Sequence, residues 1–251
     1  MVQESSKEKS QSQDATSSAG EKRQDGRDTA HWIAEVSHEL RLPIANVSLL
    51  VETLLNGGME DPQVARRMLE RAKQEVERLQ SLVGDLLSVE NLSQTRDEIQ
   101  REWVKLEDRI GYALDSTKRI AASGQVNVKI EVAPNFHIYA NGPQLDQVLL
   151  NLLENAIKFT PPDGQVIIKS DKANCFSVTD TGIGMSEAEI PKIFARFYRI
   201  DRSRGRGSTG LGLSIVKHIV DLHDAKITVS SKEGVGSTFE LEFPGPSIGN
   251  L

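Results

Sequence analysis

The stretch from Gln144 to Phe159, QLDQVLLNLLENAIKF, decides how the larger part of this chain folds. Leu145, Val148, Leu149 and Leu152 recur at helical spacing and make one apolar face. At 100° per residue, Asn151, Asn155 and Lys158 fall within about 60° of one another, on one edge of that face. Two amide oxygens and an ammonium on one stripe suit a Mg²⁺–polyphosphate: hard oxygens for the metal and a point charge for phosphate. On these residues alone, an ordinary packed helix with a polar rim fits equally well.

Outward from this helix, read as 142–159, the pattern alternates between periods. Val126 to Val132 alternates strictly, as a half-buried strand does. Further strands are expected at 165–170, 174–180, 226–231 and 237–243, and helices at 186–195 and 211–223. Antiparallel-looking strands mixed with helices predict an α+β sandwich, one helical layer on one sheet. Two glycine-bearing segments interrupt it. Asp180-Thr181-Gly182-Ile183-Gly184-Met185 follows a strand, and its glycines allow a tight turn and close backbone approach. Asp180 could accept from the exocyclic amine of adenine, although many turns share this pattern. Gly205-Arg206-Gly207-Ser208-Thr209-Gly210-Leu211-Gly212-Leu213 then opens a helix, and the amides of such a loop form an anion site. Between the two segments, Phe194, Phe197 and Tyr198 with Arg196, Arg199, Arg202, Arg204 and Arg206 read as a basic flap, or as a solvated loop with an aromatic anchor. No Gly-Lys-[Ser/Thr] sequence occurs, so there is no Walker A loop, and the H-R-D and D-F-G motifs of Ser/Thr/Tyr kinases are absent.

The N-terminal part has another texture. Ile33, Val36, Leu40, Ile44, Val47, Val51 and Leu54 lie in a stripe about 80° wide. Gly57-Gly58 stops this helix, and Asp61-Pro62 starts a second, which carries Val64, Met68, Ala72, Val76, Leu79, Val83 and Leu86. A lone helical hairpin buries little surface, so residues 30–92 are expected to pair as a homodimer, a four-helix bundle. His38 lies about 160° from the centre of its stripe and faces solvent. Glu39 follows it, and Pro43 removes the donor to the Glu39 carbonyl, which predicts a bend. A neutral imidazole beside a carboxylate is a good nucleophile, because the carboxylate orients the tautomer and raises basicity. His38-Glu39-Leu40-Arg41-Leu42 half-matches the zinc motif H-E-x-x-H, but the second histidine is missing.

Composition narrows the classes. Of 251 residues, 30 are Lys or Arg and 36 are Asp or Glu, for a net charge of −6, with 5% aromatics; this disfavours nucleic-acid binding. No apolar run is long enough for a transmembrane segment. The single Cys175 excludes an internal disulfide and any multi-cysteine metal site. Residues 1–29 hold only Met1, Val2, Ala15 and Ala19 as apolar residues and read as a disordered tail or linker. The expected organisation is 1–29 tail, 30–92 dimerisation hairpin, 93–101 linker, 102–245 nucleotide-binding domain and 246–251 tail.

Taken in order, these segments resemble the catalytic region of two-component sensor histidine kinases over about residues 30–245. Ser37 to Pro43 is similar to the H-box of the HisKA dimerisation and phosphotransfer domain, Asn151 to Lys158 to the N-box, and Asp180 to Gly184 to the G1 box. Ile193 to Tyr198 resembles the F-box and Gly207 to Leu213 the G2 box. The resemblance implies a second domain of Bergerat ATP-binding type. It implies phosphorylation of His38 on nitrogen with help from Glu39, and transfer to an aspartate of a response regulator. Asn155, supported by Asn151, would hold Mg²⁺, Lys158 would contact phosphate, Phe159 would lie by the adenine and Asp180 would read its amine. Gly182, Gly184, Arg199, Thr209, Gly210, Leu211 and Gly212 would shape the ATP pocket and its lid. A cytoplasmic location follows, with a membrane anchor possible in a longer parent. The surroundings of the H-box and F-box are similar to phosphate-responsive sensor kinases. Two positions depart from the family pattern: Leu42 stands where Thr or Asn is usual, and Ser208 where Gly is usual. Two other readings compete. A chaperone, topoisomerase or mismatch-repair ATPase of the same fold would lack an exposed histidine on a dimerising hairpin. A non-catalytic scaffold would not need an intact Asn155, Asp180 and glycines.

Overall fold

The computed structural model describes residues 36–91, 98–200 and 209–246 and divides into two units, one ending at Leu82 and the other beginning at Val83. In the first unit, helix α1 covers 36–53 and continues through Pro43 without interruption. It ends in a π-type turn, Leu54–Gly58, where Gly57 takes φ 109°, a left-handed value that a side chain would resist. Helix α2 spans Pro62–Asn91. Asp61 caps it: its Oδ1 accepts the N–H of Gln63 at 2.8 Å and of Val64 at 3.2 Å. Of the α1 stripe, Leu54 is buried and Val36, Leu40 and Val47 are half-buried, but Ile44 and Val51 stay exposed, as does Val76 of α2. Ile33 lies outside the described residues.

The second unit holds two sheets. Strands β1 (Glu102–Lys105) and β3 (His137–Ala140) form an antiparallel ribbon in which Trp103 pairs with Tyr139. The main sheet has the order β2-β4-β5-β7-β6, built from β2 (Asn127–Glu131), β4 (Gln165–Lys172), β5 (Cys175–Asp180), β6 (Lys226–Lys232) and β7 (Gly236–Glu242). All pairs in it are antiparallel except β2–β4, which is parallel. Helices α3 (Leu106–Gly124), α4 (Gly142–Phe159) and α5 (Gly212–Leu222) complete the α+β fold. The core joins Leu145, Val148, Leu149 and Leu153 of α4 to Val166, Ile168, Phe176, Val178 and Leu241 of the sheet. Ile99 also belongs to this core, and Arg101 donates to the Leu222 carbonyl at 2.8 Å.

The helix expected at 186–195 is corrected to a chain of turns with one 3₁₀ turn, Ile190–Lys192. Pro191 has no N–H to give to residue 187, so the bonds close over three residues instead: Glu189 to Ser186, Lys192 to Glu189, and Ala195 to Lys192. The ribbon strands β1 and β3 and helix α3 escape the sequence reading. In α3 the buried face is Leu106, Ile110, Ala113 and Thr117, too weakly apolar to stand out.

The C-terminal end of α5 is tied to the start of α4 by a buried imidazole. His223 Nε2 accepts the Asn141 N–H at 3.0 Å, and Nδ1 lies 2.8 Å from the Ile219 carbonyl. Asn141 in turn caps α4 by accepting the Gln144 N–H at 3.1 Å. The ring is fully buried and meets Phe243 edge-on at 5.6 Å. Burial holds its pKa below the ordinary histidine value, with Arg101 adding to the depression while the Ile219 carbonyl and Asp224 oppose it. A depressed histidine contributes stability that is complete above the unfolded pKa of about 6.5 and is lost as pH falls through the folded value. Thermal unfolding should therefore shift to lower temperature between pH 7 and pH 5. His223→Gln, which can still accept from Asn141 but does not titrate, should flatten that slope; an unchanged slope would contradict the assignment.

Candidate functional site

In the first unit, His38 is the exposed residue that the stripe implies: its side chain is 76% accessible, with Nδ1 4.0 Å from Glu39 Oε1. Leu42, one helical turn on, is also exposed. At 4.0 Å the two groups are close but not hydrogen-bonded.

In the second unit the residues expected to bind nucleotide gather around the C-terminal half of α4. The amide of Ile183 donates to the carbonyl of Phe159 at 3.1 Å, which seats the Asp180–Met185 loop against the end of α4. Gly182 permits this, since a Cβ there would stand 2.5 Å from the same carbonyl. Gly184 has φ 63°, and a Cβ would collide with the Lys232 carbonyl at 1.9 Å. Gly234 N–H closes the other side onto the Ile183 carbonyl at 2.7 Å. Phe159 is partly exposed beside this loop.

Asp180 is buried, and its Oδ1 accepts the N–H groups of Gly182 at 2.8 Å and Ser237 at 3.2 Å. Burial pushes its carboxyl above the ordinary range, and the two N–H bonds oppose that rise. Ser237 and its neighbour Gly236 contact Asp180 and are positions that sequence reasoning missed. A Cβ at Gly236 would lie 1.9 Å from the Asp180 carbonyl, so only glycine lets β7 approach. The turn before β7 reads as nothing more than a turn, because the register Asp180↔Ser237 is visible only once the sheet is assembled.

Around α5 the same economy of space recurs. Asn151 is buried, its Nδ2 has no hydrogen-bond partner, and its Oδ1 lies 2.9 Å from where a Gly212 Cβ would stand. A buried amide donor without an acceptor fits an anion's oxygen. Asn155, one turn on, is half-buried, and Lys158 is exposed. Gly210 has φ 75° and packs on the backbone of Phe197, whose N–H donates to the Gly210 carbonyl at 2.9 Å. Phe197 itself takes φ 59°, a strained value for an aromatic residue. Arg199 is half-buried; Arg202, Arg204, Arg206 and Gly205 to Ser208 lie outside the described residues. Leu211 is fully buried, and its N–H reaches Thr209 Oγ1 at 3.2 Å. Thr209 Oγ1 donates to Asp85 Oδ2 at 2.5 Å, a contact the sequence does not announce. Burial holds the Asp85 carboxyl up, and also that of Glu154, which is raised further by the charge of Asp85.

The chain matches two families. Residues 30–95 match HisKA, the His Kinase A (phospho-acceptor) domain, and residues 140–247 match HATPase_c, described as histidine kinase-, DNA gyrase B- and HSP90-like ATPase. The chain belongs to the histidine kinase family. Its relatives include the phosphate regulon sensor protein PhoR of Pseudomonas aeruginosa, 33% identical over 217 residues, or 84% of this chain and 49% of PhoR. The chain thus spans about half the length of that relative. Among solved structures, the histidine kinase ThkA in complex with the response regulator TrrA superposes with a TM-score of 0.67 at 26% identity, covering 85% of this chain and 61% of that one. Full-length ShkA in complex with AMPPNP gives a TM-score of 0.60 at 27% identity, covering 80% and 46%. No described helix of this histidine kinase chain is long and apolar enough to cross a membrane.

Holding a carboxylate in the buried position of Asp180 costs stability that the neutral group would not. A raised carboxyl contributes stability below its unfolded pKa that is lost as pH rises through the folded value. Asp180→Asn keeps an oxygen for Gly182 and Ser237, so at pH 7 its thermal midpoint should equal or exceed that of the wild type. A fall of more than a few degrees, measured by circular dichroism, would contradict this account.

Proposed function

We propose that this chain catalyses ATP-dependent phosphorylation of its own His38 and passes the phosphoryl group to an aspartate of a response regulator. The observation that carries the reading is the pairing, in one chain, of an exposed histidine–carboxylate pair on a helical hairpin with a domain whose buried Asp180 and buried Asn151, its Nδ2 without a partner, suit a nucleotide. ThkA with its regulator TrrA and ShkA with AMPPNP support the partner class and the substrate.

Each residue has a task. Asp180 has committed Oδ1 to two N–H groups, and Oδ2 accepts the amine of adenine. Phe159 lies by the base. Gly182, Gly184, Gly210 and Gly212 shape the pocket by letting its walls pack closely, since a Cβ at each would meet another part of the protein. Lys158, Arg199, Thr209 and Leu211 belong to the ATP-binding set, with the charges of Lys158 and Arg199 suited to the phosphates. The amide oxygen of Asn155, with Asn151 in support, suits Mg²⁺, which when bound would neutralise phosphate oxygens and so ease attack on phosphorus. In the transfer step the imidazole lone pair of His38 forms the N–P bond as the bond from the γ-phosphorus to the β–γ bridging oxygen breaks and ADP leaves. The Glu39 carboxylate accepts but cannot donate, so it favours the imidazole with its proton on Nδ1.

The exposed apolar residues Ile44, Val51 and Val76 support homodimerisation through residues 30–92, since a second hairpin would cover them. The same reading keeps 102–245 as the ATP-binding domain, with Ile99 and Arg101 of the expected linker 93–101 already packed on it; residues 1–29, 93–97 and 247–251 lie outside the described residues. ATP and receiver domains place the reaction in the cytoplasm, whether or not a longer parent is membrane-anchored. The likeness to PhoR supports a phosphate-responsive sensor group.

Incubation with γ-labelled ATP and Mg²⁺ tests the reading. The label should be lost in acid and survive base, and His38→Gln should abolish it while leaving the dimer folded. Label at the wild-type level in His38→Gln would move the acceptor elsewhere. In this family's dephosphorylation of its regulator, the Thr or Asn one turn after the histidine positions a water. Leu42 occupies that place, exposed and without a hydrogen-bonding group. Losing a positioned water slows a reaction by orders of magnitude, so phospho-regulator should decay slowly with the wild type and ADP, and at least tenfold faster with Leu42→Thr. Rapid wild-type decay, or no gain on substitution, would defeat this expectation.

A further inference from the structure

The carboxylate of Glu39 faces two ways. Its Oε1 lies 4.0 Å from His38 Nδ1, and its Oε2 accepts from Arg78 NH2 on α2 at 3.3 Å. Arg78 is held in turn. Its NH1 lies 4.0 Å from Glu75 Oε2, one turn earlier on the same helix, and Glu75 Oε1 accepts from Asn46 Nδ2 of α1 at 3.3 Å. Asn46, Glu75, Arg78 and Glu39 thus form a ladder that crosses from α1 to α2 and back. Its inner members are withdrawn from water: the Arg78 side chain is 12% accessible, Glu75 25% and Glu39 28%, against 76% for His38.

As a source of stability this ladder is poor. Arg78 Nε and Glu75 Oε2 are buried without hydrogen-bond partners, and the cost of desolvating paired charges offsets much of their attraction. What the ladder supplies is geometry. A glutamate on a helix surface samples many rotamers and loses that freedom only when something fixes it. A guanidinium held from its far side by a second carboxylate fixes Glu39 with its free oxygen toward the imidazole. Resting on the reading of His38 as phosphoacceptor and Glu39 as its helper, we propose that Arg78 is a positioning residue for phosphotransfer: it holds the Glu39 carboxylate beside His38, and Glu75 and Asn46 hold Arg78. It touches neither ATP nor the imidazole and acts through Glu39 alone.

A double-mutant cycle on the full chain tests this, reading the initial rate of autophosphorylation, the KM for ATP and the thermal midpoint. Arg78→Gln should slow the rate about fivefold to thirtyfold, the middle of the range of coupling between contacting groups, with KM for ATP unchanged within about twofold. Arg78→Lys, which restores the charge but not the fork, should recover part of the rate. In the Glu39→Gln background, Arg78→Gln should cost less than a further twofold. Where Arg78→Gln loses fold through the carboxylate left unpaired at Glu75, Glu75→Gln/Arg78→Gln removes that charge and should show the same slow rate at a recovered midpoint. A wild-type rate in Arg78→Gln, or equal losses in both Glu39 backgrounds, would overturn the proposal while leaving His38 as acceptor. A wild-type rate in Glu39→Gln would overturn the role of Glu39 and this proposal with it.

Discussion

The burial of one face of α4 is the constraint on which the second unit rests. Leu145, Val148, Leu149 and Leu153 are fully buried, so the helix has no freedom to rotate about its axis. Asn151, Asn155 and Lys158 occupy the edge of that face by arithmetic, and they are held where they are by leucines that never meet the ligand. The cap at Asn141 and the imidazole of His223 fix the other end of the same helix. Site precision in this domain is core packing expressed at a distance.

Glycine does the complementary work. At Gly182, Gly184, Gly210 and Gly236, a Cβ would run into the backbone of another segment at 1.9–2.8 Å. These positions are less about hinges than about closeness: they let loops from distant parts of the chain share one wall. The buried carboxylate of Asp180 is the polar counterpart, since two backbone amides must converge on it for the site to keep its shape.

Periodicity made much of this legible. The bounds of α4, and strands β4 to β7 to within two residues at each end, match the sequence pattern, and His38 faces solvent as its angle to the apolar stripe requires. What stayed illegible has physical reasons. Helix α3 buries Ala113 and Thr117, residues whose apolar signal is faint, and the ribbon β1–β3 draws its order from Trp103 meeting Tyr139, a contact made between segments far apart in sequence. The segment around Pro191 has helical composition but lacks the one donor a helix needs there. Ser237, Asp85 and Arg78 matter through partners 57, 124 and 39 residues away, and no local window contains such pairs.

The register of β5 with β7 also sets an order of events. Asp180 is made 57 residues before the Ser237 whose amide organises its carboxylate, and that amide belongs to the last described strand. A nascent chain emerging N-terminus first carries His38 and the whole of α4 before the surroundings of Asp180 are complete. On the function proposed above, nucleotide recognition waits for β7: a chain that stops between α4 and Gly236 already carries the His38 hairpin, but the amide that Ser237 gives to the Asp180 carboxylate is missing.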